Sequence, residues 1–319
     1  LWLHTRYREG QYEGEACLLV YDEESFSDFL VGGDVKQVFE QRAGTANIFI
    51  AAPFLPPEEC RKALLTGVAL QRANSYLAAK SGNVFLLELH VDEQTRHASV
   101  MTSRMSWNSS SETVVFDTSV PLDTSLREGW LFHLFDSHQG LVIAPSGVHF
   151  RKSSNKHTDK FLRAANTLTS SNACGLLAMF ALATLKPRLP KRILVDTAPL
   201  LSLAYAMMRL AKVRGIWKTE IPTRSFGSYG GQSKVRRLSV NDIILVSATT
   251  SGSLAESLQA QGANQHSIVT LFYLGSQGST RPHNALCDLT ITGERGFGYQ
   301  PVENFPALDC ALCKSDFIL

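Results

Sequence analysis

Along the second half of the chain, short apolar runs alternate with stretches of helical period. Residues 243–246 are four consecutive apolar positions (IILV) that lead into Ser247-Ala248-Thr249-Thr250-Ser251-Gly252-Ser253. Positions 254–261 continue at helical spacing up to Gly262. A short apolar run bounded by turn residues predicts a buried strand, and a glycine after a periodic segment predicts a helix end. The same pattern predicts a strand over 192–195, a turn over 196–199, a helix over 200–213 and a short strand over 220–223. A Gly/Ser-rich loop over 224–234 follows, and a buried strand over 267–274 comes after the 254–261 helix; 275–319 is mixed and loop-rich. Strands alternating with helices predict a parallel sheet with right-handed crossovers. Ligands of such sheets gather at the carboxyl ends of the strands. Three turns, 196–199, 224–234 and 247–253, are expected to meet there.

Upstream, the pattern predicts an apolar run over 141–144, a turn at 145–147, a basic and polar stretch over 149–160 and a long, mostly apolar helix over 161–185. The first 140 residues have a different pattern. Strands are expected over 16–21 and 47–54. A long helix is expected over 58–81, with Pro56-Pro57 at its start and Gly82 at its stop. Three short β-rich runs, 84–91, 97–105 and 112–119, suggest a meander. The fold class is therefore α/β. A parallel sheet flanked by helices over 141–319 is preceded by a smaller α+β domain over 1–140.

At 319 residues the chain has room for two such domains. Its 44% hydrophobic and 19% charged content is that of a globular protein, and its net charge of +2 does not indicate nucleic-acid binding. The longest apolar window, 173–185, is about 13 residues, too short to span a bilayer. No signal peptide is visible, and six cysteines in this length do not form a disulfide framework, so a reducing cytoplasm is the expected location. Neither G-x-x-x-x-G-K-[ST] nor G-x-S-x-G occurs, which disfavours a P-loop NTPase and a nucleophile-elbow hydrolase.

The turn Thr249-Thr250-Ser251-Gly252-Ser253 has the chemistry of an anion cradle. Small residues let backbone N–H groups wrap a tetrahedral anion, hydroxyls add donors, and a helix begins beside them. The same hydroxyls also suit helix capping, with Ser253 as N-cap and Glu256 three residues on. The turn contains no carboxylate.

Residues 147–274 resemble the type I phosphoribosyltransferases, and within them the orotate phosphoribosyltransferase branch. Four pieces fall in the family's order. The stretch FRKSSNKHTDKF at 150–161 resembles the branch's opening lysine-serine motif, and VDTAPL at 195–200 sits where the family has its pyrophosphate loop. RSFGSYGGQSK at 224–234 falls at the mobile catalytic loop, and 243–258 at the phosphoribosyl-diphosphate signature. By that resemblance Lys152 and Lys156 would meet a diphosphate, as would Asp196 and Thr197, with Mg²⁺ held between phosphates at Asp196. Arg224 and Lys234 would flank the loop that folds over the ligand. A lone His157 in this basic stretch is either a base or a structural side chain.

The signature's two adjacent acids are missing. Aligned without a gap they fall on Leu245 and Val246; with a two-residue deletion they fall on Ser247 and Ala248. In the family these acids hold the ribose hydroxyls and support positive charge at the anomeric carbon. Loss of such stabilisation costs on the order of 10²–10³ in rate. The expected function is therefore a phosphoribosyltransferase-fold protein that binds a phosphorylated ribose or nucleotide through Thr249, Thr250, Ser251, Gly252 and Ser253. It would act as a sensor, regulator or complex subunit; degenerate members of the fold also occur in bacterial accessory and defence-type operons, so such a system is one expected setting. The alternatives are an active transferase using phosphoribosyl diphosphate and Mg²⁺, and an interaction protein with an empty pocket. The resemblance implies a homodimer.

Cys310-x-x-Cys313 has zinc-knuckle spacing but is half a site, with His283 and Cys287 as candidates to complete it. By itself it does not imply zinc.

Overall fold

The structure is a computed structural model that describes residues 1–9, 12–42, 44–73, 82–108, 110–151, 156–186, 189–227, 231, 235, 237–276, 278–292, 296–306 and 310. The chain forms two units, one of residues 1–133 with 170–187 and 205–220, the other of residues 134–169, 188–204 and 221–319. The division is thus not a single cut near residue 140: two segments from the second half of the sequence belong to the first unit.

In the first unit, β1 (Trp2–Glu9), β2 (Tyr12–Val20), β3 (Thr45–Ala51), β4 (Asn83–Val91), β5 (Ala98–Asn108) and β6 (Thr113–Phe116) lie in sequence order, and β7 (Val120–Pro121) also pairs with β5. The expected meander appears as the antiparallel β4–β5–β6. The β2–β3 and β3–β4 pairs are parallel, however, so this sheet is mixed and not a segregated α+β arrangement. Its crossovers carry α1 (Asp28–Gln41) and α2 (Pro57–Leu64). Val31, Val35, Val38 and Phe39 of α1 share one core with Cys17, Leu19, Ile48, Ile50, Val84 and Leu86 of the strands. Side chains alternate along a strand, so Phe49 lies on the opposite face, where it stacks on Phe85 at 4.8 Å and meets Trp130 edge-on at 4.9 Å. Trp130 comes from α3 (Thr124–Ser137).

The helix expected over 58–81 is interrupted. It stops at Leu64, Gly67 takes φ +71, and a second helical stretch begins at 68. Asp28 causes the restart: its carboxylate accepts from the amides of Val68 at 2.8 Å and Ala69 at 2.9 Å. It thereby caps a helix 40 residues away. Residues 74–81 lie outside the described residues.

The helix expected over 161–185 is shorter as well. α4 runs over Ser171–Thr184, capped by Ser170, whose Oγ accepts from the Ala173 amide at 3.2 Å. Before it, residues 164–167 form a single 3-10 turn in which Thr167 Oγ1 donates to the Ala164 carbonyl at 2.7 Å. Everything from Ala173 to Leu182 is buried, as in a helix enclosed on all sides. After it, α5 (Leu200–Val213) matches the expected 200–213.

The second unit opens with two small pairings. β8 (Leu141–Ile143) pairs with β11 (Lys160–Leu162), and β9 (Phe150–Arg151) with β10 (Lys156–Thr158). The main sheet has five parallel strands: β12 (Arg192–Val195), β13 (Thr223–Ser225), β14 (Asp242–Thr249), β15 (Ile268–Tyr273) and β16 (Ala285–Asp288). Their spatial order is β13-β12-β14-β15-β16. The second strand lies outside the first and the rest follow on its other side, so the order reverses between β12 and β14. α6 (Ser253–Ala260) connects β14 to β15. Leu254, Ala255 and Leu258 bury against Ile244, Val246, Phe226 and Val235. β17 (Asn304–Pro306) pairs back with β10.

Candidate functional site

The reversal of strand order opens a crevice at the carboxyl ends of β12 and β14, the usual ligand position in such sheets. The register places Val195 opposite Leu245. The next residue on β12 is Asp196, and its amide donates to the Leu245 carbonyl at 3.0 Å. Asp196 Oδ2 accepts from both the amide of Ser247 at 3.0 Å and its hydroxyl at 2.7 Å. A carboxylate on one strand therefore bridges the crevice to the next. At 2% exposure it is almost entirely enclosed, and its Oδ1 has no hydrogen-bonding partner of good geometry. Burial raises its pKa above the ordinary carboxylate value, opposed by the donors on Ser247 and then Thr197.

This geometry decides which positions stand at the strand end. Leu245 and Val246 are fully buried in β14, whereas Ser247 and Ala248 are half-buried at its end. A carboxylate, Asp196, thus meets the end of β14 from the neighbouring strand, and Ser247 is its partner. Sequence reading named Asp196 but missed Ser247, because pairing between two strands has no local signature.

The turn itself is internally bonded. Thr249 Oγ1 accepts from the amides of Gly252 at 3.0 Å and Ser251 at 3.4 Å; Ser251 Oγ accepts from the Ser253 amide at 3.4 Å and meets Ser253 Oγ at 2.8 Å. Ser276 Oγ, from the turn after β15, donates to the Thr250 carbonyl at 3.1 Å. The expected capping box is not present: the N-cap is Gly252, with φ +75, and Ser253 is the first helical residue. Glycine is required there twice over, since a Cβ would also lie 2.9 Å from the Thr280 carbonyl oxygen. Gly252 thus faces protein and shapes the turn. The ligand-facing capacity lies with the half-buried side chains of Thr250, Ser251 and Ser253 and with the start of α6, whose first backbone N–H groups have no partner within the helix.

The remaining expected site residues are scattered. Thr197 follows Asp196 and is half-buried. Arg224 is exposed within β13, an edge strand, and so belongs to the sheet and not to a loop. Phe226 and Val235 are buried in one cluster, and residues 228–230 and 232–234 lie outside the described residues. Lys156 lies in β10, and only its backbone is described. Lys152, Lys234 and Cys313 lie outside the described residues. His157 is buried, with its ring stacked on His149 at 4.2 Å, a packed position and not one open to a substrate proton.

A directly held magnesium ion fits these residues poorly. Mg²⁺ keeps several waters in an octahedral shell. Asp196 is 2% exposed, with one oxygen already accepting two hydrogen bonds. Its Oδ1 is enclosed as well, which leaves no room for a hydrated cation. Among the described residues, no helix is long and apolar enough to cross a membrane.

Comparison with models of known protein families gives no match. Comparison with curated proteins gives none either.

Proposed function

We propose that this protein binds a phosphorylated ribose or a nucleotide in the crevice between β12 and β14, and that it signals or scaffolds through that binding and does not catalyse phosphoribosyl transfer. The observation that carries this reading is the bridge from Asp196 to Ser247. It sits at the switch point of a parallel sheet, directly before the hydroxyl-lined turn and the start of α6. The turn hydroxyls with the helix start suit a phosphate, and Ser247 beside them is held by the Asp196 carboxylate. Asp196 is buried and residues 247–253 contain no carboxylate, so the turn itself offers no acidic pair to support an oxocarbenium-like transition state.

An active transferase is the second reading, favoured by the same Asp196, a carboxylate next to the turn and enclosed at low dielectric. Thermal stability measured with nucleoside monophosphates, ribose 5-phosphate and phosphoribosyl diphosphate separates the two. Stabilisation without pyrophosphate release, with nucleobases supplied, supports binding alone. Pyrophosphate release supports the transferase. No stabilisation by any of the three removes both readings and leaves an interaction protein.

A further inference from the structure

Away from the crevice, three side chains with metal-ligating atoms converge in the second unit. We infer that His149, His157 and Cys310 form a structural zinc site. Their ligand atoms all lie within 4.8 Å of one another, and Cys310 Sγ is 3.9 Å from His149 Nδ1. His157 and Cys310 are buried, and His149 is half-buried.

The local fold explains the convergence. In the β9–β10 hairpin, His157 pairs with Arg151 and Thr158 with Phe150, which sets His149 diagonally across from His157 on the same face. Diagonal neighbours on an antiparallel pair are within reach of large side chains. On the other flank of β10 lies β17, and Cys310 follows four residues after Pro306. Ligands from three chain segments, with Cys310 161 residues from His149, therefore meet at one small sheet.

That sheet needs a staple. Its strands have two, three and three residues, too short for independent stability without further cross-links. A structural metal supplies the missing free energy directly.

The donor set selects the metal. Two imidazole nitrogens and a thiolate suit zinc, whereas Mg²⁺ and Ca²⁺ require oxygen ligands. With Zn–N about 2.0–2.1 Å and Zn–S about 2.3 Å, tetrahedral ligand atoms lie roughly 3.3–3.8 Å apart. The His149 and His157 rings are stacked at 4.2 Å, so metal binding requires the two imidazoles to turn out of that stack. Cys313 follows Cys310 at the C-x₂-C interval of paired zinc thiolates. Cys313 lies outside the described residues. Cys310 is joined by His149 and His157, and not by the expected His283 and Cys287. His283 instead packs on His266 at 4.7 Å, and Cys287 is fully buried in β16.

The test uses the full chain. Metal analysis of the purified protein should find about one zinc per chain, and chelation should lower Tm reversibly. One equivalent of Co²⁺ added to the metal-free protein should give the visible bands of a tetrahedral thiolate site. Cys310→Ser and His157→Gln should each weaken zinc affinity about 100-fold, at least the loss seen when a ligand's outer partner is removed. Because either variant might fail to fold, the wild-type protein supplies a second readout: zinc should slow iodoacetamide alkylation of Cys310 at least tenfold. No bound zinc and no Co²⁺ spectrum would overturn the inference. So would unchanged affinity in both variants, or alkylation of Cys310 at the same rate with and without zinc.

Discussion

Replacing Ser247 with alanine tests the bridge at the centre of the crevice. The change removes a hydroxyl that donates to Asp196 Oδ2 at 2.7 Å and leaves the amide donor at 3.0 Å in place. A hydrogen bond to an ionised partner contributes about 1.5–3 kcal/mol, so Ser247→Ala should destabilise the protein by about that much near neutral pH. The effect should depend on pH. Asp196 has its folded pKa raised, chiefly by burial, so its contribution favours folding most at low pH and is lost as pH rises through the folded pKa. The Ser247 hydroxyl offsets that loss, because as a donor it favours the ionised form. Its removal should cost least near pH 4, close to the ordinary Asp pKa of about 3.9, and progressively more toward pH 8. Asp196→Asn keeps an acceptor without the charge; in that background Ser247→Ala should cost only about 0.5–1.5 kcal/mol. The double-mutant cycle, read from denaturant midpoints across pH, should therefore give a coupling on the order of 1 kcal/mol. A cost that does not vary with pH, or a coupling of zero, would refute the bridge.

Two further substitutions test the frame around it. Gly252→Ala forces a side chain into φ +75 and against the Thr280 carbonyl; it should lower stability by about 1–3 kcal/mol, and an unchanged Tm would contradict the turn. Asp242 is fully buried at the start of β14 and pairs with Arg192 at 2.8 Å, while Arg192 remains a quarter exposed. Asp242→Ala should cost about 2–4 kcal/mol, below the most enclosed pairs because solvent still reaches Arg192. Arg192→Ala in the same chain should then add less than it does alone, which thermal denaturation of the three variants would check.

The second half of the chain was legible because buried parallel strands appear as unbroken apolar runs: 193–195 and 243–246 have no polar interruption. Features set by distant partners were not legible. Gly32 and Gly33 interrupt the apolar period of α1 at 31, 35, 38 and 39, and Gly32 is there because a Cβ would lie 3.0 Å from the Ala69 Cα. The break near residue 67 depends on an Asp28 carboxylate contributed by another helix. At the candidate site, the hydroxyl-rich turn and Asp196 could be read from the sequence, but the hydrogen bonds that join Asp196 to Ser247 depend on strand order. The histidines beside Cys310 were equally hidden, since neither hairpin register nor the pairing of β17 with β10 appears in the spacing of Cys310 and Cys313.

The most direct test of the central claim is ligand-induced stabilisation. At 100 times its dissociation constant, a nucleoside monophosphate or phosphorylated ribose should stabilise the native protein by about 2.7 kcal/mol. Ser251→Asp, which sets a carboxylate among the turn hydroxyls, should abolish that shift while leaving the ligand-free Tm close to wild type. Stabilisation that persists in Ser251→Asp would place the ligand elsewhere, and no stabilisation by any phosphorylated ribose would contradict the assignment of the crevice.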